Sequence, residues 1–170
     1  MTLIVCGLAE AARVIAERRP SHMVSLLDPS SMITTPLGIR AERHLKLGVN
    51  DISIPTEGLV PPNEEVVLNL LEFSRSWDET APMLVHCWAG ISRSTAAAFV
   101  IACDKSPGAD ERSLALTMRQ ASRHASPNRR IVTLADDIMG RGGRMVDALD
   151  AMGDYDFIGA GAPFDFAARH

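Results

Sequence analysis

A cysteine and an arginine six residues apart, Cys87 and Arg93, stand inside the stretch HCWAGISRS at residues 86–94. The apolar Met83, Leu84 and Val85 precede it and an alanine-rich run follows, so a strand, a tight loop and a helix N-terminus are predicted in succession. A loop this short can wrap on itself. The backbone amides of Trp88, Ala89, Gly90, Ile91 and Ser92 then converge on one point just ahead of the positive end of the helix, which makes an anion site. Gly90 permits the turn. Amides, helix terminus and a nearby guanidinium all favour the thiolate of Cys87, which is the nucleophilic form. Arg93 offers a planar fork of donors to two oxygens of a tetrahedral oxyanion, and phosphate is the natural ligand. A surface arginine at a helix start is a poor alternative, because a cation there opposes the helix dipole unless an anion is present. A bare Cys-x5-Arg arises by chance, and a lone cysteine is often a buried structural one. The preceding His86, the glycine and the flanking Ser92 and Ser94 argue against both.

That combination resembles the signature of the cysteine-dependent protein tyrosine phosphatase superfamily. The dual-specificity branch is the most similar, its loop commonly reading HC, two variable residues, G, one variable residue, SRS. The resemblance covers roughly residues 44–150. It includes LGVNDISIP at 47–55, a helical stretch, MLVHC, and the Ser126-Pro127-Asn128 triplet ahead of a late helix. It implies that Asp51 is the general acid and that the Ser94 hydroxyl stabilises the sulfur as it leaves. It also implies that Asn128 braces the loop. Read without it, Asp51 is a turn aspartate after a strand, Ser94 a helix cap and Asn128 a turn residue. Glu57 is the alternative acid. Asp28 follows a strand too, but Pro29 and its distance from the loop favour a turn role, and Asp78 reads as structural. His86 and Ser92 are expected to shape the loop through hydrogen bonds. Trp88 and Ile91 occupy variable positions with side chains directed away from the anion, and neither is the Lys or Arg that phosphoinositide phosphatases of this superfamily often carry.

The elements that must position these groups can be read from periodicity. Residues 2–6 form a short apolar strand broken by Gly7, then Leu8, Ala12 and Ile15 share a helix face that Pro20 stops. Residues 23–27 and 44–49 are two more strands, separated by a loop rich in Ser, Thr, Pro and Gly that could border the site. Asn63, followed by Glu64 and Glu65, caps a helix carrying Val66, Val67, Leu70, Leu71 and Phe73. After the loop come helical stretches at 96–103, 110–124, 131–139 and 145–152, with a break at Gly140, Gly142 and Gly143. Strands separated by helices or long crossovers pair in parallel. The expected fold is α/β, a central and mainly parallel sheet of about four to five strands flanked by helices. A single phosphatase-like domain would span 1–152. The tail at 153–170 would dock in extended form through Phe157, Phe164 and Phe166.

The chain has 170 residues, 46% of them hydrophobic and 22% charged, which suits one domain of ordinary globular composition. A net charge of -4 argues against broad binding to nucleic acid or an acidic membrane. No apolar run is long enough to span a membrane and no signal peptide is evident, so a cytoplasmic setting is expected. Three cysteines, Cys6, Cys87 and Cys103, lack metal-ligand spacing, and no cofactor or metal is called for. Cys6 or Cys103 could protect an oxidised Cys87 by disulfide formation, although small buried hydrophobes are the default. Arg119, Arg123, Arg129, Arg130, Arg141 and Arg144 concentrate positive charge in the last third. Solvated helix faces explain them more simply than substrate attraction. The resulting expectation is a metal-independent phosphatase acting on phosphotyrosine, and also phosphoserine or phosphothreonine, in proteins or on small phosphomonoesters, through a cysteinyl-phosphate intermediate. A rhodanese-like sulfurtransferase and a non-catalytic phospho-ligand-binding module are the rivals.

Overall fold

The computed structural model describes residues 1–170. In chain order the elements are β1 (Thr2–Gly7), α1 (Leu8–Arg18), β2 (His22–Leu27), β3 (His44–Gly48), α2 (Glu64–Ser76), β4 (Met83–Cys87), α3 (Arg93–Lys105), α4 (Glu111–Ala121), α5 (Arg129–Ile138), α6 (Arg144–Ala151) and β5 (Phe164–Ala167). Short 3-10 turns at Pro29–Ser31 and Ala41–Arg43 interrupt the loop between β2 and β3. The sheet runs β3-β2-β4-β1-β5. Its first four strands are parallel, and β5 is antiparallel to β1.

Strands β1, β2 and β4 are near-continuous apolar runs because both of their faces are covered. The larger core lies between the sheet and helices α2 to α6, and a smaller one lies under α1. Helix α3 is buried from Arg93 to Cys103, which its run of Ala96, Ala97 and Ala98 allows by letting neighbours approach on every side. Because β4 ends at Cys87 and α3 begins at Arg93, the loop at 88–92 sits at the carboxyl edge of the central strand. Ligands of open α/β sheets bind at that edge.

Three helices begin with side-chain caps. Asn63 accepts from the Val66 amide, Asp110 from Ser113 and Asn128 from Ile131, each filling one of the donors a helix start leaves open. The break at Gly140–Gly143 is a tight reversal, with Gly142 and Gly143 at positive φ. Buried Asp136 spans it: its carboxylate accepts from the amides of Gly143 at 2.6 Å and Met145 at 2.7 Å, so α5 caps α6.

Three expectations need correction. Helix α4 ends at Ala121 rather than reaching His124, because His124 turns away to bond the Asp156 carbonyl through Nδ1 at 2.8 Å. In the tail, Phe166 is buried in β5 and Phe164 is half-buried, but Phe157 is 82% exposed and does not anchor anything. Burying Phe166 contributes on the order of 2–3 kcal/mol, and its pairing with Leu3 fixes the strand register. The arginines of the last third are only partly solvated: Arg123, Arg129 and Arg144 are exposed, and Arg119 and Arg130 are half-buried. Arg141 is buried, donating to Glu111 Oε1 at 2.9 Å and the Cys103 carbonyl at 2.7 Å, while Arg130 reaches the Pro62 carbonyl at 2.6 Å. They tie elements together.

Candidate active site

The loop at 88–92 owes its shape to donors that pull its carbonyls outward. The Leu8 amide binds the Trp88 carbonyl at 3.1 Å, Gly161 binds Ala89 at 2.8 Å, Ser126 binds Ile91 at 2.9 Å and Asn128 binds Ser92 at 3.1 Å. In a trans peptide the N–H points opposite to the C=O, so these four bonds turn the amides of Ala89, Gly90, Ser92 and Arg93 inward. Gly90 has φ +74°, and a Cβ there would lie 2.6 Å from the backbone of Cys6 and Gly7, which excludes every other residue.

Cys87 sits at the bottom of the resulting cradle. Its sulfur is 3.3 Å from the Gly90 amide and 3.2 Å from Ser94 Oγ, both suited to stabilising negative charge on Sγ. Arg93 closes one side. Its Nη1 donates to Asp28 Oδ1 and to the Val49 carbonyl, both at 2.8 Å, and its Nε is buried with no partner at all. A buried donor without an acceptor is rare, and the arginine that carries it lines the cleft.

Asp51 lines the same cleft, which has a volume of about 690 Å³. Its Oδ1 accepts from Ser92 Oγ at 2.7 Å and from Asn128 Nδ2 at 2.8 Å. Asn128 thus holds the loop through its amide, starts α5 through Oδ1 and orients Asp51 through Nδ2. Glu57 is exposed and outside the cleft. Asp78 accepts from the amide and hydroxyl of Thr80, a turn role. His86 is buried beside the loop, with Nδ1 3.3 Å from the Cys87 carbonyl, and burial pushes its pKa down to about 4.

Asp28 is the residue sequence reasoning placed wrongly. It lies in the cleft and holds Arg93, which a turn aspartate would not do. The available signal was its place just past the end of β2, on the same sheet edge as the loop. Ser25 and His44, which lie behind His86, gave no signal as single residues. The tail is also part of the site. Tyr155, Phe157, Ile158 and Gly159 line the cleft together with Leu59 and Trp88, and Trp88 is 62% exposed. This stretch of the tail is held by the Asp156 amide on the Arg123 carbonyl at 2.9 Å and by Gly161 on Ala89.

The other two cysteines are badly placed to protect Cys87. Cys6 packs under α1 on the opposite face of the sheet, and Cys103 lies near the far end of α3. Burial pushes each thiol up to about 12. They are inert core residues.

Residues 55–130 match the model of the protein-tyrosine phosphatase family. The match includes the whole of 86–94 and Asn128, and it begins after Asp51, whose place in the site rests on geometry. Among solved structures, the Yvh1 phosphatase domain from Chaetomium thermophilum is similar over 84% of this chain and 93% of its own, with 23% identity and a TM-score of 0.55. OH1 from the Orf virus, a tyrosine phosphatase, is similar over 86% of this chain and 77% of its own, with 21% identity and a TM-score of 0.39. None of the curated proteins matches the chain.

Proposed function

We propose, from the match of residues 55–130 to the protein-tyrosine phosphatase family and from the geometry of the site, that the chain is a cysteine-dependent phosphatase that hydrolyses phosphate monoesters through a cysteinyl-phosphate intermediate. One observation carries this reading: Cys87 Sγ lies between the Gly90 amide and Ser94 Oγ in a cleft where the buried Nε of Arg93 has no partner. A phosphoryl oxygen supplies the missing acceptor. The thiolate attacks phosphorus in line with the leaving oxygen, an S–P bond forms and the P–O bond breaks. Asp51 gives its proton to the departing oxygen, its Oδ1 being engaged by Ser92 and Asn128 and its Oδ2 left for the substrate. In the second step Asp51, now a carboxylate, takes a proton from the attacking water. Cys87 leaves as thiolate, helped by the Ser94 hydroxyl. Charge on the transferring group is met by Arg93 and the loop amides, so the proposed reaction is metal-independent.

Phosphotyrosine in proteins is the proposed first substrate class, with phosphoserine, phosphothreonine and small phosphomonoesters as further substrates. The cleft supports this through its rim. Trp88, Leu59, Tyr155 and Phe157 offer apolar surface for an aromatic ring, and Arg93 is the only basic residue lining the cleft. Multiply phosphorylated inositols would lack partners there. The thiolate needs a reducing setting, for which the cytoplasm is proposed. No helix is long and apolar enough to cross a membrane.

Turnover of p-nitrophenyl phosphate with a chelator present tests the mechanism. Wild type should retain its rate, Cys87→Ser should be inactive, and Asp51→Asn should lose roughly 10²-fold or more in kcat. Abolition by the chelator, or a Cys87→Ser variant as fast as wild type, would overturn it.

A further inference from the structure

The buried part of the sheet face under α1 is apolar except for one row of side chains. Among Ile4, Met23 and Leu84 lie His86 of β4, Ser25 of β2 and His44 of β3, all buried. Ser25 Oγ is 2.6 Å from His86 Nε2 and 2.7 Å from His44 Nε2. The row continues outward from His44 Nδ1 to Thr35 Oγ1 at 2.9 Å, and inward from His86 Nδ1 to the Cys87 carbonyl at 3.3 Å. Every polar atom in it has a partner. Burial keeps both imidazoles uncharged, each with a pKa near 4, so each ring carries one proton.

The direction of each bond follows from the inner end. A carbonyl only accepts, so His86 carries its proton on Nδ1 and its Nε2 must accept. The single Ser25 proton therefore goes to His86, and Ser25 Oγ accepts from His44 Nε2–H. His44 Nδ1 is left to accept from the Thr35 hydroxyl. Four donors point the same way, from Thr35 to the peptide of Cys87. Hydrogen bonds aligned head to tail polarise one another, and a low-dielectric layer strengthens them. Fold stability does not call for such a row, since aliphatic side chains on this face would avoid the desolvation of two rings and a hydroxyl.

We infer that Ser25, His44 and Thr35 are positioning residues for Cys87, acting through His86. By donating to Ser25 Oγ, the outer pair directs the single Ser25 proton to His86 Nε2 and so holds His86 in its Nδ1–H form. The His86 donor then anchors the Cys87 carbonyl and places the positive end of the row at the peptide that carries the sulfur, which favours the thiolate. Ser25 alone would not suffice, because a lone hydroxyl can turn either way.

The inference rests on Cys87 as the nucleophile. Its test is the pH dependence of iodoacetamide inactivation, with the modified cysteine located by mass spectrometry, beside the pH profile of kcat/KM for p-nitrophenyl phosphate. Ser25→Ala should move the midpoint of Cys87 alkylation, and the acidic limb of the profile, upward by about one pH unit, which is tenfold less thiolate below the midpoint. Thr35→Val should move both in the same direction by less, and Thr35→Ser, which keeps the hydroxyl, should match wild type. A purely structural role would lower thermal stability without moving either midpoint, and that result overturns the inference. Should Ser25→Ala fail to fold, Thr35→Val decides alone, and an unmoved midpoint there is equally fatal. Wild-type enzyme that loses no turnover when Cys87 is alkylated would instead remove the nucleophile assignment on which all of this stands.

Discussion

Arg93 is held from behind by one charge and one carbonyl. Asp28 and Val49 both bind Nη1 and leave Nε without a partner, so the guanidinium is held in place before substrate arrives. Preorganisation of this kind lowers the cost of fixing a flexible side chain when the anion binds. Asp28→Ala removes one of the two anchors. The expected result is a fall of about tenfold in kcat/KM, carried mainly by KM, since about 1.4 kcal/mol per charged hydrogen bond is a tenfold effect. Steady-state kinetics on an aryl phosphate would check it, and an unchanged KM would mean that Val49 alone suffices. At this scale the sequence was half legible. Cys87, Gly90, Arg93 and Ser94 stand within eight residues, so their spacing carried their geometry. Asp28 stands 65 residues from Arg93 and Ser25 stands 61 from His86, and nothing local marks either pair.

The β4–loop–α3 unit shows why one glycine decides an element. Four carbonyls of the loop are pulled outward from four separate places, the start of α1, residue 126, residue 128 and the tail, and Gly90 lets the chain pass against Cys6 and Gly7 while this happens. A Cβ at 2.6 Å from two backbone atoms cannot be relieved by a rotamer change, and φ +74° strains any other residue besides. Gly90→Ala should therefore abolish turnover and lower stability by roughly 2–4 kcal/mol, a loss that urea unfolding would reveal. Turnover within twofold of wild type would show that the cradle tolerates a displaced amide. The helices of this half were legible because caps and apolar spacing are local signals. The wall at 155–159 was not, since its place depends on partners such as Arg123 and Ala89 that only the assembled fold supplies.

Across the whole molecule, stability and the site share their titrating groups. His22, His44 and His86 are all lowered by burial, the last two to about 4 from an ordinary value of 6.5. Above pH 6.5 these histidines are neutral in both folded and unfolded chains and contribute fully to stability. Between about 6.5 and 4 the unfolded chain takes up protons that the fold refuses, so stability falls as pH falls, by about 1.4 kcal/mol per unit for each such group. A second loss sets in lower. Hydrogen bonding to Arg169 and Lys105 holds Glu79 down at about 2, so its contribution is present above 4.5 and disappears as pH drops toward 2. Glu79 joins Lys105 at the end of α3 to Arg169, just past β5, and acid thus loosens the strand behind the tail that supplies Gly161 and the cleft wall. Urea midpoints measured from pH 7.5 to 3 should therefore decline in two stages. His44→Phe should shrink the first stage, because a ring that cannot take a proton removes one of the groups that drive it, while Glu79→Gln should flatten the second. A single transition below pH 4.5, identical in wild type and His44→Phe, would mean that the buried imidazoles accept protons without unfolding the chain.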